Sequence, residues 1–355
     1  MKTHLKIRSI LVATSFIAAL CLYACKSSTT DPSGVSSAYA VTNLVTDTVG
    51  EFPGLRSDPN LVNGWGIATD ASGNFYISAN NGGVAVVYDR NGNQTHAPIT
   101  IPSPTSSTGG TPNGVVVNTT TDFNANAVIF STEDGIIAAW KTGNAATVAV
   151  DNSALNTVYK GLAMATSGGK NYLYATDFHN AKIDVFDKNF THVAMAFTDA
   201  GIPAGFAPFG IQNIGGQLFV TYALQKVSKH DDSSGASLGY VDVYNADGTF
   251  AKRFATQGTL NSPWGIAQAH SGFGQFKNDI LVGNFGDGAI NAYDANGNFL
   301  GQLKDKSGNV VSVEKLWGIM FTPEGGLPAG DPNLLFFGAG PNDESHGLFG
   351  YVQMK

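Results

Sequence analysis

Imidazoles, carboxylates and amides recur in short polar segments of this chain, and those are the groups that could do chemistry. His179 sits in Asp177-Phe178-His179-Asn180, His230 in Lys229-His230-Asp231-Asp232, and His346 in Asn342-Asp343-Glu344-Ser345-His346-Gly347. An imidazole that titrates near neutrality can move a proton or bind a metal. Further oxygen donors stand in Glu133-Asp134-Gly135, at Asp177, and in Asn284-Phe285-Gly286-Asp287. Together with Asn342, Asp343 and Glu344 they could hydrogen-bond a ligand or hold one divalent cation such as calcium. Trp65, Trp264 and Trp317, each followed by glycine, add indole surface, with Asn63 and Asn113 in comparable positions. The same Asp, Asn and Gly are also what tight turns require, so residue type alone leaves both uses open.

What must position these groups is a repeat. Trp65-Gly66-Ile67-Ala68, Asn113-Gly114-Val115-Val116, Lys160-Gly161-Leu162-Ala163, Phe209-Gly210-Ile211, Trp264-Gly265-Ile266-Ala267 and Trp317-Gly318-Ile319-Met320 are six copies of one signature. Their glycines lie 48, 47, 49, 55 and 53 residues apart. Within each unit, apolar bursts of strand length follow, such as Asn74–Ser78 then Val84–Tyr88, and Tyr172–Ala175 then Ile183–Phe186. Asn91-Gly92, Asp247-Gly248 and Asn296-Gly297 suit type I′ turns and predict that each third strand doubles back into a fourth. Units of this size made of four short antiparallel strands are propeller blades. The fold class is therefore all-β, a six-bladed β-propeller. The sixth unit ends one strand short, and Ala40–Val45 is a spare strand before the first unit, so the N-terminal strand is expected to close the last blade.

In an up-and-down blade, the loop entering strand one and the loop joining strands two and three share one face of the disc. This face is expected to gather the polar segments above into one rim. The longest of the loops, 224–237, carries Lys226, Lys229, His230, Asp231 and Asp232 and is a candidate flap.

The chain's start has a different character. Lys2, Lys6 and Arg8 precede an apolar run from Ser9 to Ala24, and Leu22-Tyr23-Ala24-Cys25 resembles a lipobox, cut before a cysteine that takes a lipid. This predicts a lipoprotein leader over 1–24, a lipidated Cys25 with a Ser/Thr/Pro-rich tether over 25–39, and a propeller over 40–355. Cys21 and Cys25 are the only cysteines, which excludes thiolate catalysis and cysteine-bound zinc from the propeller. Without the first 25 residues, seventeen Lys and Arg face 27 Asp and Glu, a net charge of −10. So acidic a chain is not expected to bind nucleic acid, and membrane contact is expected through the lipid alone. The protein is expected to be exported, monomeric and anchored in the cell envelope, at the outer membrane or the cell surface where there are two membranes.

Several of these segments carry a likeness beyond the repeat. Asp58-Pro59-Asn60-Leu61-Val62-Asn63-Gly64-Trp65-Gly66, Asn261-Ser262-Pro263-Trp264-Gly265 and Gly340-Pro341-Asn342-Asp343-Glu344-Ser345-His346-Gly347-Leu348-Phe349-Gly350 resemble an uncharacterised family of exported bacterial propellers. More distantly, the repeats are similar to NHL-type propellers and to the gluconolactonase-like group. That last resemblance implies a divalent cation held at the axis by carboxylate and amide oxygens. The leading functional expectation is a tethered binding module for an envelope or extracellular ligand, whether glycan, protein or small molecule. The alternative is a metal-dependent hydrolase or lyase, with Glu133, Asp134, Asn284, Asp287 and Asp343 as oxygen donors and His179, His230 or His346 as acid or base.

Overall fold

The computed structural model describes Met1 and residues 37–50, 52–322 and 332–355; the predicted leader, Cys25 and the tether as far as residue 36 lie outside them. The unit from Ser37 to Lys355 is a six-bladed β-propeller. Blade 1 is Gly64–Thr69, Phe75–Ala79, Val84–Tyr88 and Gln94–Thr100. Blades 2 to 5 repeat this order, with inner strands Pro112–Val117, Tyr159–Ser167, Phe206–Ile214 and Pro263–Gln268. Second strands are buried almost throughout, because a middle strand is covered by the next blade on each face.

Blade 6 is built from both ends of the chain. Leu316–Met320, Leu335–Ala339 and Leu348–Met354 supply three strands, and Tyr39–Thr46 pairs antiparallel with the last of them, from Tyr39 opposite Met354 to Thr46 opposite Leu348. The spare N-terminal strand thus takes the place expected of it. His346 secures the junction: its Nδ1 lies 2.8 Å from Asp47 Oδ2, and the Gly347 N–H donates to Asp47 Oδ1 at 3.0 Å.

The turns differ from expectation in type. Only the glycines of Asn91-Gly92, Asp247-Gly248 and Asn296-Gly297 have positive φ, at 75°, 88° and 95°, whereas a type I′ turn needs two such residues. The loops have three residues instead of two. Gly92 N–H donates to Asp89 O, while Asp89 Oδ1 accepts from the N–H groups of Asn91 and Asn93. The aspartate that opens the loop organises a right-handed turn, and the glycine then takes the single left-handed position. Asp70, Asp294 and Asp305 build the same loop.

The six signature glycines meet around the axis. An added Cβ would lie 2.3 Å from Asn113 O at Gly66, 2.3 Å from Leu162 N at Gly114, and 3.0 Å from Phe209 O at Gly161. The corresponding distances are 2.1 Å from Trp264 O at Gly210, 2.4 Å from Trp317 O at Gly265, and 2.6 Å from Trp65 O at Gly318. Each glycine therefore faces the inner strand of the following blade, and the last faces the first. Gly210→Ala should cost about 1–3 kcal/mol, since its methyl group would collide with backbone that cannot rotate away. Urea denaturation measures the loss, and an unchanged midpoint would show that the inner strands have room to separate.

Candidate functional site

The residues just before the six glycines are Trp65, Asn113, Lys160, Phe209, Trp264 and Trp317, and they crowd the axis. Four are aromatic. Trp65 stacks on Trp317 at 3.6 Å between ring centroids, and Trp264 meets both edge-on. With Phe178, Phe209 and Phe285 they form one buried cluster that plugs the middle of the disc. The indoles, candidates for the ligand rim, pack into this plug by their size and apolarity, and Trp65 and Trp317 form the cavity's floor above it.

Above the plug lies a cavity of about 390 Å³, walled by the entering loops and the strand two to three loops. Lys160 stands at its base, with a side chain only 3% exposed. Its ammonium lies 5.0 Å from the centroid of the Trp65 ring and donates to Glu133 Oε1. Asn80 Nδ2 donates to the other oxygen of Glu133 at 2.9 Å, so both carboxylate oxygens are engaged. Lys315 covers Phe285 at 4.4 Å and reaches Asp343 at 3.4 Å.

Glu344 enters the same cavity by an unusual route. Asn342, Asp343 and Glu344 have φ of 53°, 54° and 67°, three successive left-handed residues, where L-residues are disfavoured by roughly 1–2 kcal/mol each. The turn is held because Glu344 N–H donates to Gly340 O and because Asn81 Nδ2 donates to Glu344 O at 2.8 Å. Asn63, itself buried with φ of 54°, donates from Nδ2 to Glu344 Oε1 at 3.1 Å and accepts from Trp317 Nε1. Burial pushes the Glu344 carboxyl above its ordinary range; the Glu133 charge adds to this, and Asn63, Lys160 and Lys315 oppose it.

The long loop is tied down across the opposite wall. Ser233 N–H donates to Leu224 O, and Gly235 N–H donates to Asn261 Oδ1. It presents Lys226, His230, Asp231 and Asp232 to the cavity. His230 Nδ1 lies 2.8 Å from Asp231 Oδ1; this hydrogen bond raises the imidazole's pKa and holds the Asp231 carboxyl down at about 2.

Of the residues singled out in the sequence, Asn63, Trp65, Glu133, Lys226, His230, Asp231, Asp232, Trp317, Asp343 and Glu344 line the cavity, whereas Asp134, Asp177, His179, Trp264, Asn284, Asp287, Asn342 and His346 do not. Asp134 is occupied by Thr111 N–H and Oγ1–H, and Asp177 is buried beneath Thr157, Val158 and Asn180. Asn284 and Asp287 bind each other and Asn261. Asn342 is exposed and donates its N–H to Glu314, and Trp264 Nε1 donates to Lys160 O inside the plug. His346 belongs to the terminal junction, and the backbone oxygen of His179 accepts from Gln225. Lys160 and Lys315, which line the cavity, were not singled out. Lys160 carried a signal all the same, as the cation at a repeat position where four of the six copies are aromatic.

Glu133, His230 and Asp231 offer three ligand atoms within 4.8 Å of one another. Calcium prefers six or more oxygens, whereas one of these three donors is an imidazole. The oxygens of Glu133 already serve Lys160 and Asn80, and the ammonium supplies the positive charge that an ion would bring. The donor set does not fit an oxygen-coordinated calcium.

No family model matches the chain. Two uncharacterized proteins of Acanthamoeba polyphaga mimivirus are similar in sequence. Protein R648 is 31% identical over 318 residues, covering 84% of this chain and 76% of that protein. Protein L690 is 30% identical over 316 residues, covering 82% and 80%. Among solved structures, a Bacteroides thetaiotaomicron protein of unknown function has a TM-score of 0.58 at 11% identity, covering 90% of this chain and 77% of that one. The soluble aldose sugar dehydrogenase of Escherichia coli, in its apo form, has a TM-score of 0.51 at 13% identity, covering 89% and 100%. At such identities the likeness concerns the propeller fold alone.

Glu344 gives a test of this geometry through stability. Its folded pKa lies above the unfolded one, so the stability it contributes is fully present below the unfolded value, near 4.5, and is lost as pH rises through the raised one. Glu344→Gln removes that titration. Urea unfolding between about pH 4 and about pH 8 should show the variant gaining on the wild type as pH rises; a pH-independent difference would place the carboxyl in water.

Proposed function

We propose that this chain, which belongs to the same protein family as the mimivirus uncharacterized proteins R648 and L690, binds a small neutral polyhydroxyl molecule of monosaccharide size in the charged mouth of its axis. The observation that carries this is the balance of the lining. The carboxyl groups of Glu133, Asp231, Asp232, Asp343 and Glu344 share the lining with the ammonium groups of Lys160, Lys226 and Lys315 and the imidazole of His230, so charges of both signs face one another. A ligand of strong net charge meets groups of its own sign there as well as of the opposite one. A ligand rich in hydroxyls, each both donor and acceptor, can meet ammonium, carboxylate and amide in turn. The aromatic faces contribute little contact, because Lys160 roofs Trp65 and Lys315 roofs Phe285.

Trp65 provides the readout, since any ligand reaching Lys160 changes the surroundings of its ring. Titration with a panel of aldoses and polyols should shift the intrinsic tryptophan fluorescence saturably. Lys160→Met should weaken that response about tenfold or more, as a charged donor in the wall is lost. A saturable response that this variant preserves would move the ligand elsewhere.

The expected export and anchoring belong to the same reading, supported by the lipobox at Leu22-Tyr23-Ala24-Cys25. A lipid there would hold the propeller at an envelope surface, where free sugars and glycans are met. Expression of the full chain in a bacterial host with radiolabelled palmitate should label it, and Cys25→Ser should abolish the label. An unlabelled wild-type chain would sink the anchoring.

A further inference from the structure

Resting on the ligand proposed above, the geometry points to catalysis in the same mouth: hydrolysis of a glycosidic C–O bond, with Glu344 as proton donor and Glu133 as proton acceptor. Two carboxyls stand in one cavity under opposite regimes. Glu133 is paired with a buried ammonium and receives an amide N–H on its second oxygen. Among the described residues, the Glu344 carboxyl receives an amide N–H from Asn63, and burial shifts it toward its protonated form. Two carboxyls in unlike surroundings, one beside an ammonium and one beside a neutral amide, are how one site presents an acid and a base together.

Both are placed by the same piece of backbone. Asn63, in the loop entering blade 1, holds Glu344, and Asn80, at the end of the second strand, holds Glu133. Asn80 N–H donates to Asn63 O at 2.9 Å, so the two amide hands are fixed relative to each other. Four left-handed residues, Asn63 and Asn342 to Glu344, are kept in this arrangement. Persistent backbone strain of that kind gathers where side-chain placement matters more than local stability.

The step balances with water as the co-reactant. A water oxygen bonds to the glycosidic carbon while Glu133 takes one of its protons. The C–O bond breaks with its electron pair on the departing oxygen, and that oxygen takes the proton of Glu344. The products are a free sugar and an alcohol, and the carboxyls regain their starting states by exchanging one proton with solvent. Lys160 is a positioning residue here, orienting the Glu133 carboxylate.

The full chain is assayed on unactivated disaccharides and on p-nitrophenyl glycosides, with tryptophan fluorescence read in parallel. Reducing ends and p-nitrophenolate should be released, at a rate that falls as pH rises through the raised Glu344 titration. Glu344→Gln should keep the fluorescence response yet lose about 100-fold or more on disaccharides. It should lose less on p-nitrophenyl glycosides, whose leaving group departs without a proton, and the alkaline fall should vanish. Glu133→Gln should lose both activities; its fluorescence response and melting temperature show whether the fold survives. Sugars that shift the fluorescence but are never cleaved would overturn catalysis and leave the binding reading standing. If no sugar shifts the fluorescence and none is cleaved, both fall. Release by Glu344→Gln at the wild-type rate with the alkaline fall intact would remove Glu344 from the acid role.

Discussion

How closely six inner strands can approach one axis governs the rest of this molecule. At Gly66, Gly114, Gly161, Gly210, Gly265 and Gly318 a β-carbon would sit 2.1–3.0 Å from atoms of the following blade, and this run of contacts closes on itself. The missing side chains bring the residues immediately before them into mutual contact. Those residues then have to fill the axis, and at four of six positions they fill it with aromatic rings. Packing at the centre is thus a consequence of backbone proximity, and the charged mouth is whatever remains above it.

The two positions that depart from aromatic character are adjacent, in blades 2 and 3. Asn113 is wholly buried and spends its amide on Tyr159 O, Gly114 N–H and Ser131 Oγ–H, so it is structural. Lys160 cannot be satisfied by backbone alone, because a buried ammonium demands a counter-charge. Glu133 supplies it from the neighbouring blade, and Asn80 supports Glu133 from the blade before that. One polar substitution in a hydrophobic ring therefore recruits partners from two further loops. Breaking such a buried pair typically costs about 3–5 kcal/mol, so the arrangement is maintained against a substantial penalty.

Much of the architecture was legible because the repeat signals are redundant. Six glycine signatures, alternating apolar bursts and an unpaired strand before the first unit each point to a closed ring. The fate of individual polar residues was less legible. Asp134, Asp177, Asn284 and Asp287 stand in the same class of loop as Glu133 and His230, yet their oxygens close turns and cap backbone N–H groups. Loop membership fixes the face of the disc but not whether a side chain points along the loop or across the axis. Asn91-Gly92 misled in a related way: the dipeptide suits two kinds of turn, and Asp89, two residues earlier, decides between them. Lys160 was written in the signature itself, but as a mark of periodicity it drew attention to its glycine and away from its charge.

The opposite end of the axis shows why the charged mouth has its particular chemistry. A cavity of about 680 Å³ opens there, lined by segments such as Ile67–Thr69, Val115–Val117 and Ile319–Thr322, and it shares no lining residue with the first. No Asp, Glu, Lys or Arg is among its described lining residues. Inner strands begin at the charged face and run toward the other, so the charged face receives entering loops as well as the strand two to three loops, which reach across the centre. The far face receives the compact turns that leave the inner strands. Because the aromatic plug separates the two, the charged mouth is a blind pocket instead of a channel. Ions and water reach Lys160 and Glu133 from one side only, over a floor of indole. In such surroundings a hydrogen bond or a charge has more effect than in open solvent, so the pairing of Lys160 with Glu133 and the amide contact to Glu344 are stronger there than the same contacts on the outer surface.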